Sequence, residues 1–204
     1  MIIRSVEYVG SIADPGGSAP GTLPQIAFSG RSNVGKSSLI NTLLRRTRKK
    51  IAHVSSTPGK TRMVNFFQVN EDFYLVDLPG FGYAKVSKAV RESWKTLIHS
   101  YLSGEAAPRG VVHLLDSRHD PADSDREMVA YLGSLGLPTL LVLTKIDKVG
   151  RMHRESLIQK VSKDLGVDSE QMVLFSSKTG EGREELLEAI EALLEVSDEN
   201  QDDG

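Results

Sequence analysis

The stretch "QIAFSGRSNVGKSS", residues 25–38, decides how the chain reads. Its first half is a short, mostly apolar run ending at Gly30, which fits a buried strand. A helix-like stretch follows to about Arg45. Between them lies G-x-x-x-x-G-K-[ST], complete from Gly30 to Ser37, at a strand-to-helix junction.

Outward from this junction, apolar strand-like runs alternate with helix-like stretches. "MVNFFQV" and "FYLVDLP" read as a strand pair joined by the turn "NED". "SKAVRESWKTLIHSYL" places Val90, Trp94, Leu97 and Tyr101 at helical spacing. "GVVHLLDS" and "PTLLVLTK" are nearly continuous apolar runs, as strands covered on both faces require. "PADSDREMVAYLGSLG" starts with Pro and acids and stops with Gly, so it reads as a helix. A helix at 152–165, the strand "MVLFSS" and a last helix at 183–195 complete the series. The expectation is a three-layer α/β/α fold on a mostly parallel sheet, with ligands at the carboxyl ends of the strands.

The 204 residues, 39% of them apolar, suit one such domain. Residues 1–22 read as an N-terminal segment and a Gly/Pro/Ser-rich loop, 23–196 as the main domain, and 197–204 as an acidic disordered tail. There is no cysteine, which excludes disulfides and thiolate metal sites. No window reaches the ~18 apolar residues of a membrane span, and the N-terminus lacks a signal-like run. These features predict a soluble, cytoplasmic monomer. The charge is unevenly placed: residues 1–60 carry nine Lys/Arg against two Asp/Glu, whereas residues 181–204 carry one Arg against ten acids. Such a split favours a polyanionic partner near the basic end.

The chemistry of the junction follows from its residue types. Backbone N–H groups of such a loop wrap phosphates, and the helix N-terminus adds positive potential. Gly30, Arg31, Ser32, Asn33, Val34, Gly35, Lys36, Ser37 and Ser38 form this cradle, with Lys36 reaching the β- and γ-phosphates and Ser37 giving its hydroxyl to Mg²⁺. In "DLPG", Asp77, Leu78, Pro79 and Gly80 follow a strand end, about forty residues after Lys36. Asp77 is expected to hold Mg²⁺ through water, and the Gly80 N–H to meet the γ-phosphate. In "TKID", Asp147 can accept both donors of guanine's edge, a pair adenine lacks, and the stem of Lys145 can cover the base plane. That makes the site one for GTP or GDP. In "SSK", Ser176, Ser177 and Lys178 lie after the last strand, where the Ser177 N–H can reach the guanine carbonyl.

Taken in order, "GRSNVGKSSLIN", "STPGKTRMVNFF", "DLPGFGYAKV", "TKID" and "FSSKTGEG" resemble translation-factor-related GTPases, and more closely the bacterial EngB (YihA/YsxC) family of ribosome-biogenesis proteins. The resemblance covers about residues 5–195. It implies a Ras-like P-loop GTPase domain of about six strands, GTP/GDP and Mg²⁺ binding, weak intrinsic turnover and a role in assembling the large ribosomal subunit. It also implies that Thr61 closes over Mg²⁺ in the GTP state, flanked by Gly59 and Lys60, with Thr57 the lesser candidate. Lys36, Thr61 and Gly80 are the expected catalytic contacts; Ser37, Thr61 and Asp77 are the expected metal contacts. Thr144 stands where most of the wider superfamily has Asn, which predicts a looser tie between the base and phosphate loops.

Phe81 stands where well-studied small GTPases keep the glutamine that orients water. A phenyl ring cannot polarise water, and its own role is packing. Backbone groups, a group supplied in trans, or a monovalent cation are the alternatives. The side chain of Asn33 is a candidate K⁺ ligand by analogy with K⁺-stimulated relatives, or Asn33 simply suits a left-handed turn. "RRTRKK", residues 45–50, with Lys60 and Arg62, predicts contact with rRNA by charge and shape, without DNA or membrane partners. Trp94, Phe66 and Phe67 read as core. A GTPase serving cell division or tRNA modification fits the same motifs; a phosphotransferase does not, because "TKID" and "PGKT" have no role in one.

Overall fold

The computed structural model describes residues 1–45, 63–81 and 88–195. Gly59, Lys60, Thr61, Arg62, the basic run beyond Arg45 and the acidic tail lie outside the described residues. Seven strands form one sheet: β1 (Val6–Ile12), β2 (Gln25–Gly30), β3 (Val64–Val69), β4 (Phe73–Asp77), β5 (Gly110–Asp116), β6 (Thr139–Thr144) and β7 (Met172–Leu174). Their order is β1-β3-β4-β2-β5-β6-β7. β1, β3 and β4 pair antiparallel, and β4 through β7 run parallel. The helices are α1 (Lys36–Leu43), α2 (Lys88–Leu102), α3 (Asp123–Ser134), α4 (Arg154–Leu165) and α5 (Arg183–Glu195). Among the described residues, no helix is long and apolar enough to cross a membrane.

The apolar runs became strands because each is covered on both faces. All six residues of β2 are buried, as are the first six of β5. Alternate residues of these strands serve opposite cores. Ile26, Phe28, Val112 and Leu114 pack with Leu39, Ile40 and Leu43 of α1 and Leu186, Leu187 and Ile190 of α5. Ala27, Val111 and Val76 pack on the other side with Leu97, Ile98 and Tyr101 of α2 and Leu132 of α3. Trp94, Phe66 and Phe67 are buried, in keeping with their reading as core.

The sheet has seven strands where six were expected. The addition is β1, whose residues are mostly half-buried or exposed at the sheet edge and whose pairing slips between Tyr8 and Gly10. Half-burial and a register shift blur the period-2 signal on which strand recognition depends. Asn70, in the β3–β4 turn, fastens this end: its side chain accepts from the Arg4 and Ser5 N–H groups and donates to the Ile2 carbonyl.

β2 lies between β4 and β5: the chain leaves it through α1 for β3 on one side, then crosses from β4 through α2 to β5 on the other. A crevice opens at such a reversal, beyond the carboxyl end of the strand. Gly30 ends β2 at that point.

Candidate functional site

Two glycines shape the loop that leaves β2. A Cβ on Gly30 would stand 3.0 Å from Val34 Cγ1 and 3.1 Å from the Leu114 carbonyl oxygen, so only glycine fits without displacement. Gly35 has φ of 107°, a left-handed conformation that favours glycine, and it begins α1 with no side-chain cap. The first N–H groups of α1 therefore face the crevice at the carboxyl end of the sheet.

The β4 end brings its carboxylate to the same place. Lys36 Nζ donates to Asp77 Oδ1, and both side chains are buried. Phe28 is the β2 partner of Asp77, which fixes the height of Asp77 beside the loop. Gly80 approaches closely as well: a Cβ there would lie 3.2 Å from Ser32 Oγ.

The β4 strand end is stitched to the loop one residue further on. Ser32 N donates to the Phe81 carbonyl at 2.9 Å, and Arg31 and Phe81 form an isolated parallel bridge. The Phe81 ring stacks on His113 of β5, with centroids 5.9 Å apart and planes at 16°. Phe81 is thus a packing residue. His113 is fully buried; its Nδ1 is 2.7 Å from Ser29 Oγ, and its Nε2 is 3.7 Å from Asp125 Oδ1.

The end of β6 supplies the second half of the site. Thr144 Oγ1 lies 2.7 Å from the Val34 carbonyl and 3.0 Å from the Leu115 carbonyl. The tie to the phosphate loop, 110 residues away in sequence, is present here through a hydroxyl with a single proton to donate. Lys145 has φ of 60°, which turns its side chain back across the loop, where Nζ donates to the Asn33 carbonyl at 2.9 Å and to Asp116 Oδ2 at 2.8 Å. Asn33 is exposed and itself left-handed, with φ of 67°, so the turn alone gives an account of this residue type.

Asp147 and Ser176 meet at the carboxyl ends of β6 and β7. Ser176 is fully buried; its hydroxyl donates to Asp147 Oδ1 at 2.8 Å and accepts from the Lys178 and Thr179 N–H groups. The Ser176 hydrogen bond, more than any other contact, holds the Asp147 carboxyl below its ordinary range. Ser177 contributes its carbonyl to Thr42 Oγ1 at 3.5 Å.

The structure adds residues the sequence left unassigned. Asp116, at the end of β5, accepts from Lys145 and is held in a fork by Arg118 Nε and Nη2 at 2.9 and 2.7 Å. Burial pushes its carboxyl upward, and the bonds from Arg118 and Lys145 outweigh that, leaving it well below the usual carboxylate range. The signal that would have found it is the one used for Asp77 and Asp147: an acid closing a buried apolar run. A cavity of about 180 Å³ lies between the phosphate loop and the β5–α3 connection, bordered by Arg31, Asn33, Asp116, Arg118 and Asp125.

The loop, the paired Lys36 and Asp77, and Asp147 all lie at the carboxyl ends of the parallel strands, and comparison with known proteins agrees with that placement. Residues 25–145 match the family model described as "50S ribosome-binding GTPase". A protein of Gemmatimonas aurantiaca named "Probable GTP-binding protein EngB" is 49% identical over 199 residues, 97% of each chain. Its namesake in Desulfatibacillum aliphaticivorans is 46% identical over all of this chain and 98% of its own. A crystal structure of a GTP-binding protein engB covers 83% of this chain and 98% of its own, at a TM-score of 0.69 and 28% identity. Era, solved with MgGDPNP and nucleotides 1506–1542 of 16S ribosomal RNA, matches over 83% of this chain and 56% of its own, at a TM-score of 0.65 and 26% identity. The chain belongs to the EngB family of GTP-binding proteins and carries a Ras-like P-loop GTPase domain.

Proposed function

We propose that this protein is a slow, GTP-controlled assembly factor of the large ribosomal subunit, acting as a cytoplasmic monomer through a G domain spanning residues 23–196. The observation that carries the slow-switch part is the Phe81–His113 stack: the position after Gly80 holds a ring locked against β5 and offers attacking water no polar group.

The nucleotide lies across Gly30–Ser38, with guanine against Lys145 and Asp147 and its carbonyl near Ser177. The donors present suit a hard cation: the Ser37 hydroxyl, the Asp77 carboxylate and Thr61 offer oxygen alone. Held by these oxygens, Mg²⁺ would supply charge neutralisation at the phosphates. Lys36 exchanges its Asp77 partner for phosphate oxygens. The Gly80 N–H meets the γ-phosphate, and Thr61 closes with Gly59 and Lys60 when that phosphate is present. Attacking water would be placed by backbone groups, by a group from the partner, or by K⁺, for which the Asn33 side chain would be the ligand. Arginines supplied in trans to related sites accelerate hydrolysis by ~10³–10⁵.

The ribosomal reading is supported by the family description and by Era's complex with 16S ribosomal RNA. The cation-rich run 45–50 adjoins the nucleotide-sensitive segment, while the acidic residues 181–204 direct RNA to another face. Sedimentation with purified large subunits tests this reading. Binding with a non-hydrolysable GTP analogue, weaker with GDP and weaker again in raised salt, is expected. Equal binding in every nucleotide state overturns it.

A further inference from the structure

Asp116 does not fit the description of an ordinary surface carboxylate. Its side chain is 16% exposed and is held by two cations, Arg118 and Lys145. Arg118 clamps both of its oxygens, and the Arg118 N–H adds a third bond to Oδ1 at 3.1 Å. Such a fork fixes the plane of a carboxylate as well as its place. Oδ2 then receives Lys145 Nζ, whose other contact is the Asn33 carbonyl of the phosphate loop. Asp116 also pairs with Thr144 across β5 and β6, so its backbone height is set by the residue preceding Lys145.

Lysine is a flexible stem with a strongly hydrated head, and holding it in one rotamer costs entropy. The Asn33 carbonyl alone gives Nζ a single anchor. With Asp116 there are two, one from the loop and one from the end of β5, both on the same ammonium. The head is thereby fixed at a point shared by the loop and β5, which restricts the stem between Cα and Nζ to the rotamers that reach it, beside the position assigned to the guanine.

We infer that Asp116 is a positioning residue for nucleotide binding, preorganising Lys145 over the base while Arg118 holds the carboxylate in place. The inference rests on the assignment of Lys145 and Asp147 to the guanine. It does not make Asp116 a contact of the nucleotide. Because the stem covers the base face rather than its edge, Asp116 sets how long any purine nucleotide stays, and Asp147 sets which purine is chosen.

The test is a double-mutant cycle on the release of fluorescent GDP and IDP analogues from the full chain: Asp116→Ala, Lys145→Ala and the pair, with Asp116→Asn as the near-isosteric control. Asp116→Ala is expected to speed release by about tenfold, the scale of one lost charge-assisted hydrogen bond. The factor should be equal for GDP and IDP, and Asp116→Asn should fall between it and the parent. In a Lys145→Ala background, Asp116→Ala should add nothing, because its effect passes through that lysine. Losses that simply multiply overturn the inference, as does a GDP-selective effect. A parent protein that binds neither nucleotide overturns the guanine-site reading itself, an outcome distinct from multiplied losses in a protein that binds.

Discussion

The Lys36 ammonium donates to the Asp77 carboxylate, and the two side chains are only 9% and 7% exposed. Each is assigned a different partner in the nucleotide complex, phosphate for one and hydrated Mg²⁺ for the other. Binding must therefore separate a buried ion pair, and the nucleotide supplies the replacement charges.

Asp77→Ala should expose this exchange. Removing one member of a buried pair leaves the other uncompensated, at about 3–5 kcal/mol. For a chain of this size that lowers Tm of the nucleotide-free protein by roughly 6–20 °C. Saturating GDP should recover much of the loss by giving Lys36 new anionic partners. Thermal melts with and without GDP, in Mg²⁺ and in EDTA, check it. The variant should also lose the Mg²⁺ dependence of GDP affinity, while its affinity in EDTA matches or exceeds that of the parent.

Thr144 makes a second measurable tie. Its single hydroxyl proton serves one of two carbonyls, Val34 or Leu115, at a time. Thr144→Val leaves both without that donor and should cost about 1–3 kcal/mol, seen as faster GDP release together with a lower Tm. Thr144→Asn brings two N–H donors and should bind GDP as tightly as the parent or more so. Stopped-flow release of a fluorescent GDP analogue separates the two cases.

These ties explain what the sequence disclosed and what it withheld. Gly110–Asp116 and Thr139–Thr144 were legible as strands because burial on both faces leaves a continuous apolar run. Lys36, Asp77 and Asp147 were legible because a motif fixes their spacing. Lys145 with Asp116, and Phe81 with His113, were not, since those meetings depend on register across parallel strands 29 and 32 residues apart in sequence. β1 stayed hidden for the opposite reason: at an exposed edge, neither face carries enough apolar residues to show a period.

Phe81 supplies no polar group, so its loss should leave intrinsic hydrolysis almost untouched. Phe81→Ala should keep single-turnover GTP hydrolysis within about twofold of the parent while removing an aromatic stack worth ~0.5–1.5 kcal/mol. Phe81→Gln should not create fast turnover either, because the N–H of this residue donates to the Gly30 carbonyl and its carbonyl accepts from the Ser32 N–H, which directs this side chain towards β5. A large rate gain in Phe81→Gln would show that the residue type, rather than the placement, limits hydrolysis.

Ser176 should set the acid limit of the guanine recognition assigned to Asp147. Its hydroxyl bond favours the ionised Asp147 and lowers that carboxyl below its ordinary value. A group depressed in this way keeps its contribution above the ordinary pKa and loses it as pH falls through the lowered one. GDP affinity owed to Asp147 should therefore be flat above about pH 5, since an ordinary Asp titrates near 3.9. Ser176→Ala removes the bond and also leaves the Lys178 and Thr179 N–H groups without that acceptor. The acid limb of the affinity profile should move upward, towards the ordinary carboxylate range, and the affinity at neutral pH should drop as the 178–179 turn loosens. Titration of GDP binding from pH 7.5 downward, parent beside variant, checks both changes; superimposable acid limbs would mean that Ser176 braces the loop without tuning Asp147.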